Sequence, residues 1–460
     1  MNEVIGYIVK NHDRYLEELE SFLRIPSIST DPEHKADMVK AAEFVVEQLR
    51  AAGIQDCEIV PTEGHPIVYG ERVDSPDKPT VLVYGHYDVQ PVDPLDLWTT
   101  PPFEPTVRNG KLFARGASDD KGQLLTHIKS AEAFNKTRGS LPVNLKFVLE
   151  GEEEIGSAHL EGFLRENVER LAADTVVISD TALFAEGVPS ICYGLRGLAY
   201  LQIDVTGPKA DLHSGSFGGP VANPAFVLAE ILASMKDSNG RITIPHFYDD
   251  VVELTVEERK AWAGLPFDRD AYMAELGVDD LNGEAGFTPL EQVWARPTLE
   301  VNGLVSGFTG KGAKTVLPSK AMAKVSMRLV PNQDPDKIAK LFEEYVRSVA
   351  PKSVHVQVQD LHGGQAWVAD LSHPALVTAA EAIEKGFGKR PVFQREGGSI
   401  PIVATFTELL KAPTVLLGFG LPDENAHAPN ENFDLGNFYR GIQSSAYFFE
   451  LFGEAGKRAS

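Results

Sequence analysis

The chain has 460 residues, with 43 Lys+Arg against 66 Asp+Glu and a formal net charge of −23. That length exceeds one compact core and predicts two domains, while the charge argues against nucleic acid and anionic membrane surfaces as partners. Only two cysteines occur, Cys57 and Cys192. Neither lies in a CxxC pattern, which argues against a disulfide framework or a zinc–cysteine site and fits a reducing cytoplasm.

The opening segment, MNEVIGYIVKNHDRYLEELESFLRIPS, has helical spacing and predicts a helix over 4–23. It lacks the basic start and apolar core of a signal peptide. No apolar run along the chain is long enough to span a bilayer. Helices are further predicted over 36–52 and 121–134, and strands over 81–84, 143–149 and 176–178. This alternation is the pattern of an α/β domain with a mainly parallel sheet. After Gly197 the character changes. AYLQIDVTG and KAMAKVSMRLV alternate like half-buried strands, with helical patterns in VANPAFVLAEILASMK and DPDKIAKLFEEYVRSVA and a further strand in VHVQVQD. These predict a smaller α+β domain with one exposed sheet face. Buried-strand character returns in PTVLLGFG. The expected division is therefore a catalytic domain over 1–196, an inserted domain over 197–370, and the rest of the catalytic domain over 371–460.

Chemistry-bearing residues gather at predicted strand ends. LEGEEEIGS places Glu152, Glu153 and Glu154 directly after a buried strand, where a carboxylate cluster is costly unless cations or protons neutralise it. His86 in VLVYGHYDV, Asp119 in ARGASDDKG, Asp180 in TVVISD and His427 in ENAHAPNE follow strands or apolar runs in the same way. Open α/β sheets bind ligands at that edge, and strand-end His, Asp and Glu are the donors of a two-metal hydrolase. His86 and Asp88 would share a face if the strand ran through both, giving either a ligand with its orienting carboxylate or a structural histidine beside a turn aspartate. Asp119 could bridge two cations, whereas Asp120 reads as a helix N-cap. Of adjacent Glu153 and Glu154, one can ligate while the other stays free as a base. His213 in DLHSGSFGG is either a solvated loop histidine or one that its glycines let approach a ligand. Arg328 in SMRLVP lies on an alternating strand. EGGSIPI offers either an anion-binding nest of N–H groups or an ordinary turn.

Taken in order, LRIPSIS, GHYDVQP, WTTPPFEP, ARGASDDKG, EGEEEIGS, ISD, DLHSG, MRLVP, HGGQAWV, EGGSIP and HAPNE closely resemble the carnosinase–aminoacylase family of co-catalytic di-zinc metallopeptidases. The likeness runs over nearly the whole chain, on the side of the cytosolic non-specific dipeptidase and carnosine dipeptidase branch. The resemblance implies that His86 and Asp180 hold one metal, Glu154 and His427 the other, and Asp119 bridges. It implies that Asp88 orients His86, that Glu153 is the general base, and that the Asp119–Asp120 peptide is cis. His213 would polarise the scissile carbonyl in the active site of the partner subunit. Arg328, His362 and Ser399 would hold the substrate carboxylate or tetrahedral intermediate, with Thr315 nearby. Two divalent ions per subunit are expected, Zn²⁺ foremost and Mn²⁺ or Co²⁺ as alternatives, in a cytoplasmic homodimer joined through the inserted domain. Asp rather than Glu at 180 accords with dipeptidases and aminopeptidases of the family. Competing readings are an N-acyl amino acid deacylase or carboxypeptidase, and a non-catalytic metal- or peptide-binding protein.

Overall fold

The computed structural model describes residues 1–459, which form two compact units: Met1–Tyr193 with Ala369–Gln394 and Thr405–Ser460, and Gly194–Val368 with Arg395–Ala404. The decapeptide Arg395–Ala404, expected with the first unit, belongs to the second. Among the described residues no helix is long and apolar enough to cross a membrane.

The first unit is built on one mixed sheet. Its strands run in the order Asp56–Val60, Ile67–Arg72, Asn144–Glu150, Thr80–His86, Thr175–Ile178, Thr414–Leu416 and Ser190–Leu195. The four strands from Asn144–Glu150 to Thr414–Leu416 are parallel, in registers that include His86 opposite Glu150 and Tyr84 opposite Ile178. Nearly every residue in these four is buried. Parallel strands covered on both faces need such continuous apolar runs, and their burial explains why the runs show no alternation. The helix Lys121–Arg138 is buried from Lys121 through Phe134, and Gly139 ends it in the left-handed conformation at φ 69°.

The predicted helix over 4–23 is instead two, Asn2–Lys10 and His12–Leu23. Asn11 separates them, its side chain donating to the Tyr7 carbonyl at 2.7 Å. A short amide side chain competes here with the helical ladder, so the break has a local cause that apolar spacing does not reveal.

The second unit carries a four-stranded antiparallel sheet in the order Thr298–Ser306, Lys320–Leu329, Gly197–Thr206, His355–Gly364. Apart from exposed Lys320, the two inner strands alternate between buried and half-buried residues. Their buried side chains join Leu228 and Ile231 of the helix Pro224–Ala233 and Ile338, Phe342 and Val346 of Pro335–Val349 in one core. The expected α+β layering with one uncovered face is thus observed.

Candidate metal centre

The strand Thr80–His86 ends on His86, which is completely buried. Asp88 therefore lies beyond the strand, and the condition for a face shared through strand alternation is not met. The chain turns instead, so that the Asp88 carbonyl oxygen sits 3.1 Å from His86 Nδ1 and its carboxylate 3.4 Å away. The same carboxylate accepts the backbone N–H groups of Glu153 and Glu154 at 3.3 and 3.1 Å. Asp88 thus orients the imidazole and fixes the glutamate turn, the short 3-10 helix Glu153–Ile155.

With Nδ1–H engaged by oxygen, His86 presents Nε2 as a lone pair. This buried nitrogen has no hydrogen bond of its own. It faces Asp119 Oδ1 at 3.1 Å and Asp180 Oδ2 at 3.9 Å. On the other side of Asp119, His427 Nε2 lies 2.9 Å from Oδ2 and 3.2 Å from Glu154 Oε2. Two donor groups result, His86–Asp119–Asp180 and Asp119–Glu154–His427, each with its ligand atoms within 4.8 Å of one another. They share Asp119, one oxygen to each side. A buried imidazole nitrogen without a hydrogen bond, aimed at carboxylates, fits a cation between them, and the N/O donor set suits Zn²⁺, Mn²⁺ or Co²⁺.

The electrostatics agree. Burial, then the charge of Asp119, pushes the Asp180 carboxyl up to about 7. Burial also raises Glu153 well above the usual carboxylate range, with Asp180 and Glu154 adding to it against the opposing effect of His86. Hydrogen bonds to Asp119 and Glu154 push the His427 imidazole up to about 10. For His86, burial by itself would lower the pKa, but Asp119, Asp88 and Asp180 raise it well above the ordinary value. Desolvated carboxylates crowded in this way favour whatever positive charge can enter. A cleft of about 220 Å³ opens beside Asp119 and Asp180.

Several supporting residues escaped the sequence reading. Gln90 Nε2 donates to Glu154 Oε2 at 2.7 Å, although Gln90 stands within GHYDVQP. Asp120 occupies the N-cap position of Lys121–Arg138 but makes no capping bond; its carboxylate accepts the His86 backbone N–H at 3.2 Å, correcting the N-cap expectation. The Asp119–Asp120 peptide is cis, as the resemblance implied. Glu431 is fully buried and accepts the N–H groups of Gly116, Ser118 and Asp119 and the Arg115 guanidinium, at 2.8–3.1 Å. It shapes the Asp119 loop from more than 300 residues away, and no local signal marks it.

The remaining candidates lie in the second unit. His213 is exposed and caps the helix Ser214–Phe217, its Nδ1 accepting the Gly215 and Ser216 N–H groups at 3.1 and 3.2 Å. Thr315 is exposed, its carbonyl accepting the Ser214 N–H. Arg328 donates to Ser399 Oγ at 2.8 Å. Exposed His362 follows an irregularity in the strand register and packs its ring edge-on against Tyr200, 5.2 Å between centroids.

Paired nitrogen–oxygen donor groups sharing one carboxylate, at the carboxyl ends of parallel strands, define the class as a two-metal hydrolase. Residues 82–450 match Peptidase family M20/M25/M40, and the chain belongs to that family. It is 37% identical over 460 residues to the Cys-Gly metallodipeptidase dug1 of Schizosaccharomyces pombe, covering 96% of each chain. Its fold is similar to that of human carnosine dipeptidase 1, with a TM-score of 0.83, 32% identity and 98% coverage of both chains. It is also similar to the M20 family metallo-carboxypeptidase Sso-CP2 of Sulfolobus solfataricus, with a TM-score of 0.85, 34% identity and coverage of 96% of this chain and 99% of that one.

Proposed function

We propose that the chain is a metallo-dipeptidase that hydrolyses the peptide bond of free dipeptides, with Zn²⁺ as the first choice of metal. The observation that carries this reading is the pair of donor groups joined through Asp119, with Glu153 beside them and outside both. His86 and Asp180 would hold one ion, Glu154 and His427 the other, and Asp119 both. Two divalent ions there would supply Lewis acidity toward the scissile carbonyl and acidify a water. Glu153 takes the proton from the attacking water and passes it to the departing amine nitrogen. A carboxylate whose proton affinity burial has raised can hold that proton between the two transfers. His213 would stabilise the oxyanion: with Nδ1 accepting two backbone N–H bonds, the neutral ring carries its proton on Nε2 and can donate it. Arg328 and Ser399 would take the substrate carboxylate, with His362 and Thr315 beside the substrate.

The relatives named dipeptidases and the aspartate at 180 support a dipeptide substrate. The likeness to a metallo-carboxypeptidase supports a second reading, cleavage of C-terminal residues or N-acyl amino acids. A hydrolysis screen of free dipeptides, tripeptides and N-acetyl amino acids with Zn²⁺, Mn²⁺ and Co²⁺ separates them. Dipeptide cleavage alone is expected; N-acyl cleavage without dipeptide cleavage would reverse the assignment.

A cytoplasmic homodimer through the second unit belongs to the same proposal. The edge strand Thr298–Ser306 supports it, since it exposes Val301, Leu304 and Val305 along an unpaired sheet edge. If His213 of the partner subunit completes each site, His213→Ala and Glu153→Gln chains should complement in mixed dimers. One site would then carry both defects and the other neither, giving about half of wild-type activity by two-fold symmetry. Heterodimers that form without activity would place His213 elsewhere.

A further inference from the structure

A cleft of about 300 Å³ opens within the second unit, lined by Arg196, Lys236, Glu284, Arg296, Thr298 and Glu300 among others. None of the residues assigned above to metal, base or substrate lines it. Its charges are unequally matched. Arg296 is neutralised by a two-pronged bond to Glu284 at 2.7 and 2.8 Å. Lys236 pairs with Glu300 at 3.1 Å. Arg196 is only 9% exposed, yet among the described residues no carboxylate lies within ion-pair distance of it. Its guanidinium bonds two carbonyl oxygens, Gly397 O through Nε at 3.0 Å and Arg296 O through one terminal nitrogen at 3.4 Å. A guanidinium has five N–H donors, so the rest of the fork remains for a ligand in the cleft. Burial and the neighbouring charge of Arg328 push Arg196 down to about 10, against the opposing charge of Glu300.

A desolvated arginine is stable when a carboxylate or phosphate meets its fork. The cleft's volume is at the low end for small-molecule sites, about 300–1,000 Å³. Glu300 lines the same cleft, its side chain 61% open to solvent and bonded once to Lys236, and its charge acts on Arg196. Among the described residues, a buried arginine with no carboxylate in ion-pair contact and a solvent-exposed carboxylate line the same cleft, a combination that matches a small zwitterion.

We propose that this cleft binds a small carboxylate ligand of the free α-amino acid class, its carboxylate on Arg196 and its ammonium toward Glu300. The site is separate from Arg328, although the two are joined: Ser399 Oγ accepts from Arg328 and donates to the Arg196 carbonyl oxygen at 2.5 Å. The assignment does not depend on the reaction proposed above.

The test is isothermal titration of the metal-loaded full chain with glycine, acetate, glycinamide and inorganic phosphate. Wild type, Arg196→Met, Arg196→Lys and Arg328→Met are compared. Glycine and acetate should bind wild type, and one of their binding events should persist in Arg328→Met, which removes only the proposed substrate arginine. Their affinity should fall at least about tenfold in Arg196→Met and less in Arg196→Lys, which keeps the charge but loses the fork. Glycinamide, lacking the carboxylate, should not bind. If circular dichroism shows Arg196→Met unfolded, Thr298→Trp, which fills the cleft and leaves Arg196 in place, should abolish the same binding. The proposal is overturned if no carboxylate binds, or if binding vanishes in Arg328→Met and survives in Arg196→Met or Thr298→Trp. Phosphate binding without acetate or glycine would equally reject a carboxylate site.

Discussion

The two halves of the metal centre are built in opposite ways. His86 ends a central strand, wholly buried, with its ring held by Asp88 and its backbone N–H by Asp120. His427 stands on a loop, its side chain 58% exposed, with its backbone at φ 63° in the left-handed region that costs a non-glycine residue about 1 kcal/mol. One half takes its geometry from the sheet, the other from a strained loop and a few hydrogen bonds. If two ions bind as proposed, the difference predicts a tight, slowly exchanging side and a looser, accessible one that share Asp119.

Glu153 belongs to neither half, and its replacement should have the largest effect. Glu153→Gln should retain both metals by elemental analysis and lower kcat by roughly 10²–10⁴ because an amide cannot accept the proton. Wild-type kcat in this variant would remove Glu153 from the reaction.

Next comes the support that both halves share. Glu431→Ala would leave buried Arg115 unpaired and orphan the N–H groups of Gly116, Ser118 and Asp119. Breaking a buried ion pair from one side costs about 3–5 kcal/mol. The urea midpoint should fall accordingly, and both metals should bind more weakly. A loss confined to one metal would show that Glu431 does not act through the Asp119 loop.

Removing single ligands tests the asymmetry between the two halves. Asp119→Ala should lose both metals, while His427→Ala and His86→Ala should each lose one. In wild type under a chelator, metal should leave in two phases, and His427→Ala should delete the faster. A single phase carrying both ions would erase the proposed asymmetry.

The strand-end donors were legible because burial writes itself into sequence: VNLKFVLE and TVVISD are apolar runs that stop at a carboxylate. The inner strands of the second unit were legible through their alternation. What stayed hidden depends on distance along the chain. Glu431 meets Asp119 across 312 residues, and Gln90 reaches Glu154 across 64. Neither partner changes the local pattern around the other. Asp120 misled because a carboxylate before a helix is ordinarily a cap, and only the tertiary fold turns it toward His86. Asn11 breaks a helix whose apolar spacing continues unbroken.

His127 is another residue of this kind, and the smallest predicted effect rests on it. It lies wholly inside the first unit, with Nε2 2.6 Å from Ser179 Oγ and Nδ1 2.8 Å from Ser445 Oγ. Ser179 donates its own proton to the Leu417 carbonyl, so it must accept from Nε2–H, and Ser445 then donates to Nδ1. The ring is neutral and spoken for at both nitrogens, holding the strand end one residue before Asp180. Burial pushes its pKa from 6.5 down to about 3. A depressed histidine is bound by more protons when unfolded, so its contribution is complete above pH 6.5 and is lost as pH falls from 6.5 toward 3. At pH 5.5 the loss should be on the order of 1 kcal/mol relative to neutral pH. His127→Gln, which does not titrate, should be less stable overall yet lack this slope. Urea midpoints of both proteins at pH 7.5 and 5.5 decide it, because titrations at the metal centre are common to both and cancel in the difference. Equal pH slopes would mean that His127 does not stay neutral in the folded chain, and that Ser179 is held in place by some other means.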